Sequence, residues 1–181
     1  VGERVLQVGA GTGYYSAILA EMVGPHGRVI AYEVEPDLAE AARHALARDW
    51  PQVEVRSASA LEGALEPADV IYVSAGATHV PVAWLDALAP DGRMVLPLTA
   101  AHGVGPMLMI TRLGASTSRY AARTLTRVSF IPCIGARDAA ASDALRIAME
   151  RGSVHAIRSL RRDAPPDASA WLVGEGWRSE E

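Results

Sequence analysis

Residues 5–17 read Val5-Leu6-Gln7-Val8-Gly9-Ala10-Gly11-Thr12-Gly13-Tyr14-Tyr15-Ser16-Ala17. The apolar Val5, Leu6 and Val8 predict a buried strand, and the segment from Tyr14 to Val23 has helical character. Between them, Gly9, Gly11 and Gly13 make a strand-to-helix turn whose backbone can approach a ligand closely, while the helix N-terminus presents free N–H groups. A second apolar run, Arg28-Val29-Ile30-Ala31-Tyr32, leads into Glu33, twenty residues beyond Gly13. A carboxylate in that place can accept hydrogen bonds from a ribose diol. The constellation reads as a nucleoside site.

The spacing narrows the ligand. A dinucleotide-binding turn requires a third glycine five residues after the first, and Tyr14 holds that place. What stands here is G-x-G-x-G, a form that resembles the turn of S-adenosyl-L-methionine (SAM) methyltransferases.

Length and composition fit one compact α/β unit, since 181 residues can bury a substantial single core. Half the residues are apolar, yet no apolar run approaches the roughly 20 residues of a membrane span, so no membrane association is expected. No signal peptide is visible. A single cysteine, Cys133, excludes an internal disulfide and makes a cytoplasmic location the default expectation. A net charge of −4 gives no reason to expect a nucleic-acid partner. The five histidines lack ligand spacing with Cys or carboxylates, so no metal site is expected.

Strand and helix signals alternate along the chain. Strands are expected at residues 28–34, 53–57, 70–75, 93–98 and 107–112, and further ones at 119–125 and 129–133. Helices are expected at 36–47, where Pro36, Asp37 and Glu40 suit a first turn, and at 81–88. Pro90-Asp91-Gly92 reads as a turn. This order implies a Rossmann-like, doubly wound, mostly parallel sheet with ligands at the carboxyl ends of its strands. The division expected is a core at residues 1–137 and, from 138 to 181, a helix followed by a short tail. In that tail a helix is expected at 143–162, broken by Ala164-Pro165-Pro166-Asp167. The aromatic, glycine-punctuated stretch Trp171-Leu172-Val173-Gly174-Glu175-Gly176-Trp177 suggests a small hairpin on the edge.

Four blocks resemble the protein-L-isoaspartate O-methyltransferases, which use SAM to repair isomerised aspartate in proteins. They are the glycine turn; Gly27-Arg28-Val29-Ile30-Ala31-Tyr32-Glu33 with Pro36 and Leu38; residues 69–81 running into 90–97; and Phe130-Ile131-Pro132-Cys133-Ile134-Gly135. The last block is the most specific. The resemblance implies that Gly9, Ala10, Gly11 and Gly13 line the methionyl and ribose portion of SAM, with Glu33 on the ribose hydroxyls and Val34 beside the adenine. It places Ser59 and Ala60 at the adenine edge and Ala75 below the cofactor, and gives Ile131, Pro132 and Cys133 the substrate contacts through main-chain bonds. The partner it implies is a protein or peptide carrying an isoaspartyl residue.

Three features depart from the family pattern. The family carries an N-terminal region before the glycine turn, with a Ser or Thr hydroxyl near the reacting carboxylate, and Val1 stands just before the first strand. Gln7 occupies a place usually acidic, and Ala58-Ser59-Ala60 replaces the usual Gly-Asp-Gly. Charged hydrogen bonds are worth about twice neutral ones, so SAM affinity weaker by about tenfold or more is expected. An uncovered N-terminal face would favour self-association.

No catalytic side chain is assigned, and the chemistry needs none. A carboxylate with a reference pKa near ~3.9 is ionised at neutral pH and attacks without a general base. The remaining conspicuous residues have ordinary readings. His79 suits a solvated loop, Arg158, Arg161 and Arg162 a solvated helix face, Trp171 and Trp177 edge packing, and Cys133 an apolar buried position. Two other functions compete with the leading one. The tail is similar to that of bacterial relatives that methylate an aspartate in a ribosomally made peptide. Gln7 and Ser59 also suit a catalytically silent SAM-binding module.

Overall fold

The computed structural model describes residues 1–101, 103–152, 154–163, 165 and 170–180. The expected first strand is β1 (Arg4–Val8), buried on both faces after Arg4. Together with β2 (Arg28–Glu33), β3 (Val53–Ser57), β4 (Ala68–Val73) and β5 (Leu88–Pro97) it forms a parallel half-sheet in the order β3-β2-β1-β4-β5. Near-continuous apolar runs suit strands covered from two sides. The period of two divides them. Val5, Val29 and Val70 pack with Ala20 and Val23 of helix α1 (Tyr14–Val23), whereas Leu6, Val8, Ile30, Ile71 and Val73 enter a larger core on the opposite face.

The strand order reverses between β1 and β4. Connections leave this point in opposite directions, which opens a crevice beyond the carboxyl ends of the two strands. Val8 stands in register with both Tyr32 and Val73, so β1, β2 and β4 end together at the crevice. Helix α2 (Pro36–Leu46) follows β2 with Pro36 in its first turn and Asp37 at its positive end. The short α3 (Val82–Ala87) follows β4.

The second half of the sheet is antiparallel. It comprises β6 (Val104–Arg112), β7 (Arg119–Ser129), β8 (Ser159–Arg161), β9 (Ala170–Gly174) and β10 (Trp177–Glu180), in the order β6-β7-β8-β10-β9 beyond β5. The sheet is therefore mixed, and its parallel half carries the crevice. The turn expected at Pro90-Asp91-Gly92 lies within β5, where a bulge between Ala68 and Val70 absorbs it and Asp91 takes φ 61°.

Two expectations are corrected. Residues 119–125 and 129–133 are not separate strands, because β7 runs unbroken to Ser129 and the chain then leaves the sheet. Pro132 has no N–H for a ladder, and the segment crosses to the end of β4 instead, touching it through one bridge to Gly76. Nor is 143–162 one helix. Helix α4 (Ala139–Arg151) starts earlier, where Asp138 Oδ1 accepts the Ala141 N–H at 2.7 Å, and stops at Gly152. A single 3-10 turn at Val154–Ala156 and then β8 follow. Leu160 is buried in the sheet opposite Tyr120, so pairing between β7 and β10 overrides the helical pattern there. The expected break at 164–167 lies outside the described residues apart from Pro165.

The tail hairpin forms as β9 and β10, turning at Gly176 with φ 72°. Trp177 donates its indole N–H to Val80 O at 2.9 Å, and Trp171, Leu172 and Trp177 join the larger core. No helix among the described residues is long and apolar enough to cross a membrane.

Candidate functional site

The crevice holds a cavity of about 370 Å³. Its walls come from the turn after β1, the ends of β2 and β4, the loop after β3, and residues 130–134. Gly9, Ala10, Gly11, Glu33, Val34, Ser59, Ala60, Ala75, Ile131, Pro132 and Cys133 all border it, although they are scattered over 125 positions of sequence (9 to 133). Gly13 does not. It stands at the N-cap of α1 with φ 94°, and a Cβ there would meet Leu46 Cδ1 at 3.0 Å. Its role is to let α1 start beside α2.

The turn and Glu33 are built together. Gly9 and Ala10 donate their N–H groups to Tyr32 O at 2.9 and 3.0 Å, which fixes the first half of the turn against β2. Gly11 N–H donates to Glu33 Oε2 at 2.7 Å, and Glu35 N–H donates to Oε1 at 3.0 Å. A carboxylate has about four acceptor sites. Two are therefore committed to the protein, and the buried group keeps capacity for a diol at the cavity wall. Gly11 has φ 56° and open space where a Cβ would stand, so a side chain there would both strain the turn and intrude on that space.

Gln7, at the position usually acidic in the family, has a structural place. Its wholly buried side chain lies outside the cavity lining, accepting Ser16 Oγ–H at 2.6 Å and donating weakly to Gly9 O at 3.4 Å. It braces the turn against α1. An amide suits this task because it offers both a donor and an acceptor, whereas a carboxylate only accepts.

At the far end of the cavity the loop after β3 is held firmly. Ala58 N–H donates to Glu33 O at 3.0 Å, Ser59 Oγ accepts Leu61 N–H at 3.1 Å, and Ala60 O accepts the Trp84 indole N–H at 2.9 Å. The Ser59 hydroxyl is thus partly committed to its own loop.

Residues 130–134 form the remaining wall. Ile131 O accepts Gly76 N–H at 2.7 Å, and Cys133 N–H donates to Gly76 O at 2.9 Å. These two main-chain groups, expected to meet a peptide, each bond the protein itself, and the Ile131 carbonyl keeps a second acceptor site. Arg137 completes the arrangement from behind. Its Nη1 donates to Gly76 O at 2.9 Å and to Thr99 O and Oγ1 at 2.8 and 2.9 Å, and its Nη2 donates to Ala100 O at 3.0 Å. Burial pushes the Cys133 thiol up to about 11, despite the nearby Arg137 charge, so it is not a thiolate nucleophile at neutral pH.

Several residues at the site escaped sequence reading. Tyr14, Tyr15, Leu61, Ser74, Phe130 and Ile134 also border the cavity. Ser74 is distinctive because its buried Oγ has no hydrogen-bond partner among the described residues. A serine just past the end of a buried strand is the one signal that could have marked it. Arg137 gave no such signal, since its partners lie 37 to 61 residues away. His79 faces Thr78 Oγ1 at 3.3 Å, outside the lining. The basic residues of the tail do not share a helix face. Arg162 pairs with Asp86, Arg161 with Asp163, and Arg158 donates to His155 O and Ile157 O.

The comparisons with known proteins converge. The family model described as Protein-L-isoaspartate(D-aspartate) O-methyltransferase matches residues 1–138. A protein-L-isoaspartate O-methyltransferase of Ignicoccus hospitalis is 38% identical over 136 residues, covering 74% of this chain and 63% of its own length. One of Aeropyrum pernix is 41% identical over 140 residues, covering 74% and 52%. A solved protein-L-isoaspartate O-methyltransferase superposes with a TM-score of 0.68 at 25% identity, over 82% of this chain and 46% of that one. The likeness to a Plasmodium falciparum protein solved with S-adenosyl-L-homocysteine concerns the fold alone, with a TM-score of 0.61 at 21% identity over 73% and 66%. The chain spans about half to two thirds of the length of the curated relatives it matches.

Proposed function

Because the chain belongs to the protein-L-isoaspartate(D-aspartate) O-methyltransferase family, we propose that it binds SAM in the crevice and methylates an isoaspartyl carboxylate of a protein or peptide. The observation that carries the reading is the Glu33 carboxylate, buried at the cavity wall with acceptor capacity to spare, beside a glycine turn open above Gly11. The residues present fit the cofactor on a second count, since the Ser74 hydroxyl on the same wall has no partner among the described residues. Gly9, Ala10, Gly11 and Glu33 would hold the methionyl and ribose parts, with Val34, Ser59 and Ala60 around the adenine and Ala75 beneath.

Bound SAM supplies an electrophilic methyl group. The chain's own contribution is position. The turn is pinned by Tyr32 O and braced by Gln7, and the residue 130–134 wall is pinned by Gly76, whose carbonyl Arg137 also holds, so both walls of the crevice are set before ligands arrive. No base is required for an acceptor already ionised at neutral pH. Excluding water from the crevice strengthens whatever hydrogen bonds the acceptor makes. The test is transfer of labelled methyl from SAM to an isoaspartyl peptide and to its aspartyl counterpart. Transfer to the isoaspartyl peptide alone supports the reading, transfer to the aspartyl peptide points to peptide tailoring, and SAM binding with no transfer points to a silent module.

A further inference from the structure

The cavity mouth carries apolar side chains that the fold does not use. Tyr14 and Tyr15, at the start of α1, are 69% and 47% exposed, and Ile131 and Ile134 are 74% and 61% exposed. All four border the same cavity. The tyrosines are packed as a platform, with ring centroids 5.2 Å apart edge to face, and Tyr15 lies 5.9 Å from Tyr72. The residue 130–134 segment is equally set, because Gly76 holds it on either side of Pro132. Exposed apolar groups on a backbone already held in place require less ordering when covered than groups on a free segment.

Two further facts point to the occupant. Ile131 O and Cys133 N–H already bond Gly76, and the same segment holds the side chains of Ile131 and Ile134 out at the mouth. Among the described residues, the charged groups of the lining are Glu33 and Glu35, with no Lys, Arg or His. Beyond the one carboxylate that takes the methyl group, a mouth with such a lining favours apolar neighbours over additional carboxylates.

We propose that Tyr14, Tyr15, Ile131 and Ile134 form a recognition rim for a large apolar side chain adjacent to the methyl-accepting residue. The substrate class is then a peptide segment in which one isoaspartyl carboxylate stands beside a residue such as Phe or Leu, not within an acidic run. This deepens the methyl-transfer reading and rests on it.

Binding and turnover are measured separately. Fluorescence anisotropy of the full chain, with and without S-adenosylhomocysteine, compares three isoaspartyl peptides that differ only in the following residue: Phe, Ala or Glu. The rim predicts about tenfold tighter binding of the Phe peptide than the Ala peptide, and the weakest binding for Glu. Tyr15→Ala and Ile134→Ala should each reduce that preference several-fold, while Tyr15→Leu keeps most of it; thermal melting of each variant checks the fold. Equal affinities, no binding of any peptide, or a preference that survives both alanine variants would overturn the rim. Methyl transfer to the Phe peptide reports on the activity itself. Preference without transfer defeats the activity reading and leaves the rim standing, and transfer without preference does the reverse.

Discussion

Glu33 and Ser74 occupy one cavity in opposite chemical states. Glu33 is buried with two backbone donors, a cost of burial offset within the free protein. The Ser74 hydroxyl is buried without a partner among the described residues, a cost the free protein bears. Such a group is a natural place for a ligand to improve matters. Ser74→Ala is expected to leave stability unchanged or raise it by up to about 1 kcal/mol, since it removes an unsatisfied polar atom. The same change should weaken S-adenosylhomocysteine binding about three- to tenfold, for loss of one neutral hydrogen bond. Melting and titration of one variant check both signs. At this scale the sequence revealed Glu33, whose distance from the glycines is a local pattern, but not Ser74 or Arg137. Their significance comes from partners, or the lack of them, that only the folded chain brings together.

Elements were legible where local pattern and tertiary context agree. Strands β1 and β2 and helix α2 stand within a residue or so of their expected bounds, because apolar runs, glycines and Pro36 are all local signals. Agreement failed where a distant partner decided. Residues 130–133 leave the sheet because Pro132 cannot continue a ladder and Gly76 offers a bridge, and residues 159–161 are a strand because β7 and β10 lie on either side. Helix α4 began earlier than its apolar pattern suggested, since Asp138 is an N-cap that the pattern ignores. Asp138→Ala should cost about 1 kcal/mol. For a chain of 181 residues that corresponds to a fall in melting temperature of roughly 2–4 °C, and Asp138→Asn should restore most of it. Equal melting of wild type and the alanine variant would mean that the cap contributes nothing.

Over the whole molecule, the tail is part of the core that supports the site. Trp177 packs against Gly174, bonds Val80 O, and lies in the same cluster as Leu6 and Val73 below the crevice. Trp177→Ala is expected to cost about 3–5 kcal/mol and to lower the melting temperature by roughly 10 °C. A drop of only a degree or two would show the tail to be peripheral. It follows that deleting the residues after Pro165 tests folding rather than a peptide site, because the cut strips β9 and β10 and leaves β8 exposed at the edge. The aromatic tail, whose resemblance to that of peptide-tailoring relatives suggested such a role, has its tryptophans turned inward.

All of this converges on one pocket held open by Glu33 and the glycine turn. The most direct measurement is calorimetric titration of the 181-residue chain with S-adenosylhomocysteine, alongside Glu33→Gln. An amide can donate, but it has one acceptor oxygen where the carboxylate has two, and it carries no charge. Saturable binding by the parent chain, weakened about ten- to a hundredfold in the variant, is the predicted result. Equal affinity in the two chains, or no binding by either, would contradict it.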